Sequence, residues 1–367
     1  MKILASHRNL NLRMAIQPLC IALLVLAVLA FIPSCNKIDN PSPGDDGWTE
    51  LGGDRPVIFN SSLATPATKT TPEPETLPDN TTFGVFAFYQ EGTPSSAGKW
   101  NNNRTPNFMF NQAVEFRLPD QYTYTPLRYW PSNEYNTISF WAYCPYKVTP
   151  DLLVYNSANT YTSTSKRIPD IRFTSDGHTD LMVSNLVTNQ KYSSNNGIVP
   201  LTFNHVLSKI DIKAEKVDSD DNFTVTLTAV SLKGLYGTAI LRNQSGNWEY
   251  SGSRQEVWRA TPTPSPELSH GTSTDIGSAI LIPQDLSDDA SRLQVEFSVS
   301  YTDGGTPHSY STVREAYLRD VFYSIGGGTW TKNSHYVVTI KITPGNPIQF
   351  TVTWDTWGAD HNYHLSS

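Results

Sequence analysis

The residues best suited to chemistry are one histidine and one short acidic segment. His205 could act as a general base, but the sequence identifies no nucleophile for it to activate. Residues 176–180 (Asp-Gly-His-Thr-Asp) offer donors that could hold a metal ion. The Asp-Gly pair within that segment is also the commonest turn signal. We therefore interpret His205 as a packed or hydrogen-bonded structural residue and the acidic segment as a turn.

The sequence contains no other motif of a catalytic centre. It lacks a Gly-x-Ser-x-Gly elbow, a His-Glu-x-x-His pair and a phosphate-binding loop ahead of a helix. These absences predict that the protein is no enzyme, with no catalytic residue, no metal site and no cofactor. A glycosidase stays open as an alternative, because two carboxylates placed across a cleft leave no sequence motif.

The N-terminus has the pattern of an export signal. Basic residues precede the apolar run 19–32, which is too short to span a bilayer comfortably. The run ends at Cys35, followed at once by polar residues, which resembles a bacterial lipoprotein signal in which the cysteine thiol is lipidated. Pro33 departs from the usual pattern of such signals. An uncleaved membrane anchor and a plain signal peptide cut near Ser34 remain alternatives.

The cysteine count agrees with this interpretation. Cys20 lies in the apolar run and Cys35 would carry lipid, which leaves Cys144 without a partner. An exported chain with one unpaired cysteine has no disulfide framework, and a zinc site built on cysteines is excluded by the same count.

The composition indicates a β-rich protein that does not bind nucleic acid. The 367 residues include 27 basic and 34 acidic side chains, for a formal net charge of −7. A nucleic-acid binder would need a basic face. Only 17% of residues are charged, whereas exposed helices are rich in Glu and Lys. The sequence therefore predicts an all-β fold.

Alternating apolar residues place the strands and divide the chain. Segments 83–89 and 138–144 are apolar on both faces, whereas the later segments 209–214, 293–301 and 336–342 alternate on one face only. We predict two tandem β-sandwich domains. The predicted organisation is a signal peptide over 1–34, a flexible tether over 35–54, a first domain over 55–207 and a second domain over 208–367. The first strand is predicted at about 57–62, followed by a proline-rich loop over 63–80.

The tryptophans allow two interpretations. Sugar-stacking platforms would use exposed rings, but most of these residues lie in or beside alternating apolar runs, where core packing explains them at least as well. The seven considered are Trp100, Trp130, Trp141, Trp248, Trp330, Trp354 and Trp357.

Several short motifs occur together in an order that resembles a known family. They are the lipoprotein cysteine, then 57–59 (Val-Ile-Phe), 68–70 (Thr-Lys-Thr), 83–86 (Phe-Gly-Val-Phe), 130–131 (Trp-Pro), 138–145, 180–183, 201–209, 281–284 and 330–336. This order is similar to that of the fimbrillin family of the Bacteroidetes, the Mfa-like subunits of type V pili. The resemblance implies two transthyretin-like Greek-key sandwiches.

The resemblance also implies a route of assembly. Family subunits reach the outer surface as lipoproteins, and a trypsin-like protease then cuts after the first strand, so that a strand from another subunit takes its place. Mapped here, the removable strand is 57–62 and the cut follows Lys69. Arg55 precedes a proline, which such proteases dislike, and a cut there would leave the strand in place.

The resemblance points to the C-terminal segment as the donated strand. Its alternating apolar residues are Ile348, Phe350, Val352 and Trp354. The same residues could equally form the last strand of their own domain, and the sequence leaves both interpretations open.

The implied partners are other pilus subunits, the processing protease, the outer membrane through lipid, and a host glycan or protein receptor. The expected location is the outer membrane and cell surface, in a pilus. The alternative function is a surface lipoprotein that binds glycan or host protein and never polymerises.

Overall fold

Strands form nearly all of the regular structure in the described part of the chain. The computed structural model describes residues 55–64, 76–147, 149–220, 222–325 and 328–357. The strands are β1 (Ile58–Leu63), β2 (Thr81–Gln90), β3 (Met109–Arg117), β4 (Gln121–Thr123), β5 (Thr137–Cys144), β6 (Leu152–Leu153), β7 (Asp170–Thr174), β8 (Met182–Ser184), β9 (Val187–Gln190), β10 (Ile198–His205), β11 (Ser208–Lys216), β12 (Phe223–Lys233), β13 (Leu235–Arg242), β14 (Asn247–Gln255), β15 (Trp258–Ala260), β16 (Glu267–Leu268), β17 (Thr274–Leu281), β18 (Arg292–Asp303), β19 (Thr306–Tyr317), β20 (Ser334–Ile342) and β21 (Gln349–Thr356).

Helical structure is limited to short turns within the described ranges. A four-residue helix α1 spans Leu318–Val321, and 3-10 turns span Asn195–Gly197 and Tyr323–Ile325. The all-β prediction is confirmed. No helix among the residues that the structure describes is long and apolar enough to cross a membrane.

The first large sheet has eight strands, and its central strands β2 and β5 are buried on both faces. Its order is β1-β10-β8-β5-β2-β3-β4, with β9 also paired to β5. Every residue of β5 is buried, and so are nine of the ten residues of β2. Near-continuous apolar sequence in these strands produces this arrangement, because side chains on both faces must leave water. The predicted two-sided burial of 83–89 and 138–144 is confirmed.

The two edges of this sheet approach each other. Strand β4, at one end of the order, carries Tyr122, whose hydroxyl lies 2.8 Å from the backbone nitrogen of Ser61 in β1 at the other end. The sheet therefore curls until its edge strands meet, as the right-handed twist of strands favours.

Two further sheets form a sandwich in the C-terminal half. One has the order β17-β11-β20-β21, and the other has the order β15-β12-β18-β19 with β16 also paired to β12. Their alternating apolar residues meet in one core that includes Ile212, Leu227, Phe297 and Val338. The one-sided alternation in the sequence is confirmed as one buried and one wet face.

A fourth sheet includes strands from both sides of residue 207. Its order is β14-β13-β7-β6, so β7 from the N-terminal half pairs with β13 from the C-terminal half. The division into domains at residues 207 and 208 falls between β10 and β11 and remains a proposal.

Candidate functional site: an edge strand, its groove and the last strand

Strand β1 lies at the edge of the eight-stranded sheet. Its ladder partner is β10, to which it runs parallel from Ile58 opposite Ile198 to Leu63 opposite Phe203. The observed strand begins and ends one residue later than the predicted 57–62. An edge strand can leave a sheet without dividing it, but its departure exposes a row of backbone N–H and C=O groups on its neighbour.

The inner face of β1 fills an apolar groove. Val57, Phe59, Ser61 and Leu63 alternate along this face, and all four side chains are buried. The adjacent Ile58 points outward and is 46% exposed. This alternation follows from the two-residue period of a strand.

Phe59 occupies the centre of the groove. Its ring meets those of Phe83, Tyr124 and Phe140 edge-on, with ring centroids 6.2, 5.6 and 6.0 Å apart. Edge-to-face contacts of this kind add to the free energy gained from burial. The groove is thus built from β2, β5 and the residues after β4 around one aromatic side chain of β1.

Two tyrosine hydroxyls contact the outer edge of β1. The Tyr122 hydroxyl accepts a hydrogen bond from the Ser61 backbone N–H at 2.8 Å, and the Tyr124 hydroxyl donates to the Val57 carbonyl at 2.8 Å. Burial raises the pKa of Tyr122 and raises that of Tyr124 to about 12. Both hydroxyls therefore keep their protons at physiological pH and can act as donors.

The predicted lipidation and processing positions lie outside the described residues. Cys35 precedes the first described residue, Arg55, and Lys69 lies between the described ranges 55–64 and 76–147. Their roles remain proposals.

The four predicted donor residues lie in and beside β21, the outermost strand of its own sheet. This strand pairs antiparallel with β20, so the alternative interpretation of a last strand in its own domain describes the position seen here. Ile348 and Phe350 are half-buried, Val352 is buried and Trp354 is 56% exposed. The strand is therefore incompletely covered where it lies.

Trp357 anchors the end of this segment. It is fully buried among residues that include Trp141, Leu207 and Ile282, and its backbone N–H donates to the Asn333 carbonyl at 3.0 Å. Its ring stacks on His205, with centroids 4.5 Å apart and planes 9° apart.

His205 is buried and lies within hydrogen-bond distance of one carboxylate. Its Nδ1 lies 2.7 Å from the Asp180 carboxylate, and both side chains are buried. In the 176–180 segment, the Asp176 carboxylate accepts hydrogen bonds from the backbone N–H groups of His178 and Thr179 and thereby closes a turn. No group of three or more His, Cys, Asp or Glu side chains suited to a metal occurs among the described residues.

Cys144 is an inert buried thiol. It is fully enclosed in β5, and burial raises its pKa far above the ordinary value. It is a free cysteine among the described residues.

Core packing explains most of the tryptophans. Four are fully buried, namely Trp130, Trp141, Trp330 and Trp357. Trp100 and Trp248 are half-buried, which leaves Trp354 as the exposed ring among the seven considered.

Tyr122, Tyr124 and the anchoring role of Trp357 were not predicted from the sequence. The alternation of Tyr and Thr over 122–125 was a usable signal for a strand with one aromatic face. Nothing in that pattern identifies β1 as the partner, because the contact joins residues 61 positions apart.

Comparisons with known proteins agree with this fold. Residues 67–357 match a family model described as fimbrillin-like. The chain is also 31% identical, over 246 residues, to a protein named fimbrium subunit Fim1C from Phocaeicola vulgatus. That match covers 62% of this chain and 61% of the relative, so the chain spans about three fifths of the relative's length.

A solved structure shares the architecture. The crystal structure of a fimbrial protein from Bacteroides vulgatus superposes with a TM-score of 0.61 at 19% identity. The superposition covers 83% of this chain and all of the other. At this identity the likeness concerns the fold.

Proposed function

This chain belongs to the fimbrillin-like family, and from that premise we propose that it is a subunit of a cell-surface fimbria that assembles by exchange of its first strand. The observation that carries the proposal is the position of β1, an edge strand whose inner face fills an aromatic groove. In the proposed cycle β1 is removed by proteolysis, and the C-terminal strand of another subunit enters the groove.

The groove left by β1 would have a strong tendency to accept a strand. Loss of β1 uncovers the pockets of Val57, Phe59 and Leu63, each worth about 1.5–3 kcal/mol when filled by a large apolar side chain. It also uncovers the backbone groups of β10 that pair with β1. An exposed sheet edge above an apolar groove is the geometry that strand addition uses.

Strand β21 has the spacing to fill the same pockets. Both segments carry four residues on one face, at every second position. They are Val57, Phe59, Ser61 and Leu63 in and just before β1, and Ile348, Phe350, Val352 and Trp354 in and just before β21. A phenylalanine occupies the second position in each set. The donated strand would thus restore the central aromatic contact of the groove.

The partial burial of β21 on its own subunit favours its transfer. Trp354 is 56% exposed and Phe350 is half-buried, so both have apolar surface still in contact with water. Transfer to a groove that buries the corresponding residues of β1 would remove that surface from water, which is a favourable contribution to the free energy of transfer.

We propose that export proceeds through lipid at Cys35 and that a trypsin-like protease cuts after Lys69. The lipid would hold the chain on the outer membrane until the cut releases it, since a residue carrying two or more acyl chains gives stable attachment. Other fimbrial subunits and the protease are the partners in this scheme. A host glycan or protein receptor is a further proposed partner.

Low-dose trypsin treatment of the exported protein tests the scheme. We expect a new N-terminus at residue 70, followed by ladders of oligomers that resist mild denaturant. The variant Lys69→Ala should gain no N-terminus at residue 70 and should stay monomeric. Lys99→Ala, which changes an exposed lysine in a loop, is the matched control and should behave as the parent chain.

The alternative function predicts a different result. A surface lipoprotein that binds glycan without polymerising would stay monomeric after the cut, and its tryptophan fluorescence would respond to added glycan. That outcome would refute the assembly proposal.

A further inference from the structure

The outer edge of β1 is contacted by one continuous segment, residues 122–130. Along a strand, the backbone groups of alternate residues point to opposite edges. The Ala64 N–H donates to the Phe203 carbonyl at 2.8 Å, which places the even-numbered positions toward β10. The odd-numbered positions Val57 and Ser61 therefore present their backbone groups to the 122–130 segment.

At the N-terminal end of β1, the hydrogen bonds to the 122–130 segment have fixed donors and acceptors. The Val57 N–H donates to the Arg128 carbonyl at 2.8 Å, and the Trp130 N–H donates to the Arg55 carbonyl at 3.0 Å. These two bonds form a short antiparallel bridge around Pro56. A carbonyl can only accept and an N–H can only donate, so this bridge distinguishes the two directions of a strand.

The tyrosine hydroxyls complete the set. The Val57 N–H meets the Arg128 carbonyl, and the Val57 carbonyl meets the Tyr124 hydroxyl. Further along β1, the Ser61 N–H meets the Tyr122 hydroxyl. A strand of reversed direction would place a carbonyl where the Val57 N–H lies. Two carbonyls would then face each other in a buried site without a proton between them, which is unfavourable.

The 122–130 segment is held in place by contacts that do not involve β1. Strand β4 pairs with β3, with Tyr122 opposite Phe116 and their rings 5.1 Å apart. The Gln112 side chain donates to the Thr125 carbonyl at 2.9 Å. At its other end, the Trp130 indole N–H donates to the Gly197 carbonyl at 3.0 Å. Both ends of the segment are therefore held without β1.

We propose that the 122–130 segment, through the Arg128 carbonyl, selects the direction of the strand that replaces β1 and holds it parallel to β10, while the hydroxyls of Tyr122 and Tyr124 help to hold that strand in place. This inference rests on the proposed function and adds a direction and a register to it. With Phe350 in the site of Phe59, Gln349 lies opposite Ile198 and Thr353 lies opposite Thr202.

Paired cysteines test the direction in the full chain treated with trypsin. Ile198 and Thr202 of β10 lie opposite Ile58 and Ser62 of β1, and the Ser62 and Thr202 hydroxyls are 3.4 Å apart. Parallel entry predicts covalent ladders from Ile198→Cys with Gln349→Cys and from Thr202→Cys with Thr353→Cys. Reversed entry predicts ladders from the two swapped combinations. Cys144 is buried and Cys35 leaves with the cut, so neither native thiol interferes.

A control establishes that the geometry permits the bond. The double variant Ser62→Cys with Thr202→Cys should form an intramolecular disulfide before trypsin treatment, because these positions are already in register. Ladders from the two parallel combinations support the inference. Ladders from the swapped combinations, or filaments that form without either parallel ladder, overturn it and leave strand exchange intact. Failure to form filaments at all refutes the proposed function, and this inference with it.

Tyr122→Phe and Tyr124→Phe test the positioning role of the hydroxyls. Each removes one hydrogen bond to the incoming backbone, so we expect about two- to tenfold faster loss of the donated strand. The ratio of parallel to swapped crosslinks should stay the same, because a hydroxyl can bond a strand of either direction. Tyr323→Phe, at a residue that is 82% exposed, is the matched control. An unchanged rate of strand loss in the double variant Tyr122→Phe with Tyr124→Phe would show that the hydroxyls do not hold the donated strand.

Discussion

The indole ring of Trp357 stacks on the imidazole ring of His205, with 4.5 Å between the ring centroids. Trp357 directly follows the last residue of β21, and His205 is the last residue of β10. His205 is in turn held by Asp180, with 2.7 Å between Nδ1 and the carboxylate. Strand β21 is therefore partly exposed along its length, whereas Trp357 at its end is fully buried. Any role for this strand outside its own subunit requires Trp357 to leave that site.

Replacement of Trp357 by alanine should free the C-terminal strand. The fully buried ring leaves a large cavity, so we expect the free energy of unfolding to fall by about 3–5 kcal/mol. Amide hydrogen exchange across β21 should become faster than in the parent chain, because the end of the strand loses its anchor.

The control for this change is Trp354→Ala. Trp354 is 56% exposed, so its removal should alter stability by less than about 1 kcal/mol in the isolated subunit. Equal effects of the two substitutions in urea denaturation would contradict the anchoring role of Trp357.

Acid should destabilise the C-terminal sandwich through Asp211. Burial alone would raise the pKa of this carboxyl, but hydrogen bonds from His335 and Ser278 outweigh it and lower the pKa from 3.8 to about 2. A carboxyl with a lowered pKa in the folded state stabilises the fold at pH values above its pKa in the unfolded chain. That stability is lost as the pH falls through the pKa of the folded state. We expect a loss of about 2 kcal/mol as the pH falls from about 4 to 2.

Asp211→Asn should remove that part of the pH dependence. Urea denaturation at a series of pH values would measure it, and the slope between about pH 4 and 2 should flatten. The matched control is Asp303→Asn, which changes an exposed carboxylate at the end of β18 and should leave the slope unchanged. A slope that Asp211→Asn does not alter would assign the acid sensitivity to other groups.

Strands with a buried face could be predicted from sequence, and exposed ones could not. The alternation of Leu293, Val295 and Phe297 predicts β18, because its side chains alternate between core and water. The next strand, β19, is exposed over most of its length on both faces, so Thr306–Tyr317 shows no alternation to detect.

Family membership confirms that the chain is not an enzyme, as the absence of catalytic motifs predicted.

The contacts that complete the candidate site depend on distant parts of the chain. Trp357 is out of phase with the alternation of Phe350, Val352 and Trp354, so a period of two would place it toward solvent. It is buried because the chain leaves β21 and reaches His205, and no local pattern encodes that contact. The same reason hides the pairing of Tyr122 with Ser61.

Two glycines with similar backbone angles should respond differently to alanine. Gly234 has φ +68° in the one-residue connection between β12 and β13, and an added Cβ would lie 1.9 Å from the Ala290 carbonyl oxygen. Gly271 has φ +67° with nothing within 4 Å of that position. Gly271→Ala should lose about 1 kcal/mol from backbone strain alone. Gly234→Ala should lose at least about 3 kcal/mol, since backbone must move as well.

Thermal denaturation of both glycine variants would measure this difference. Similar losses would show that the β12–β13 connection can shift away from Ala290, and the close approach would then impose no constraint on the fold.

The final prediction concerns Phe59, whose importance should end when β1 is removed. In the uncut subunit, Phe59→Ala deletes the ring at the centre of the groove and should lower the free energy of unfolding by about 3–5 kcal/mol. Ile58→Ala, one residue away on the outer face and 46% exposed, should have an effect of less than about 1 kcal/mol.

Filaments assembled from either variant should resist denaturant as well as parent filaments do. The proposed cut after Lys69 discards residues 58 and 59 together, so a donated Phe350 would fill the central pocket in every case. The comparison therefore separates a strand that is replaced from one that is retained. Filaments of Phe59→Ala that dissociate at a lower urea concentration than those of Ile58→Ala would show that β1 persists in the joint, and strand exchange at this groove would be wrong.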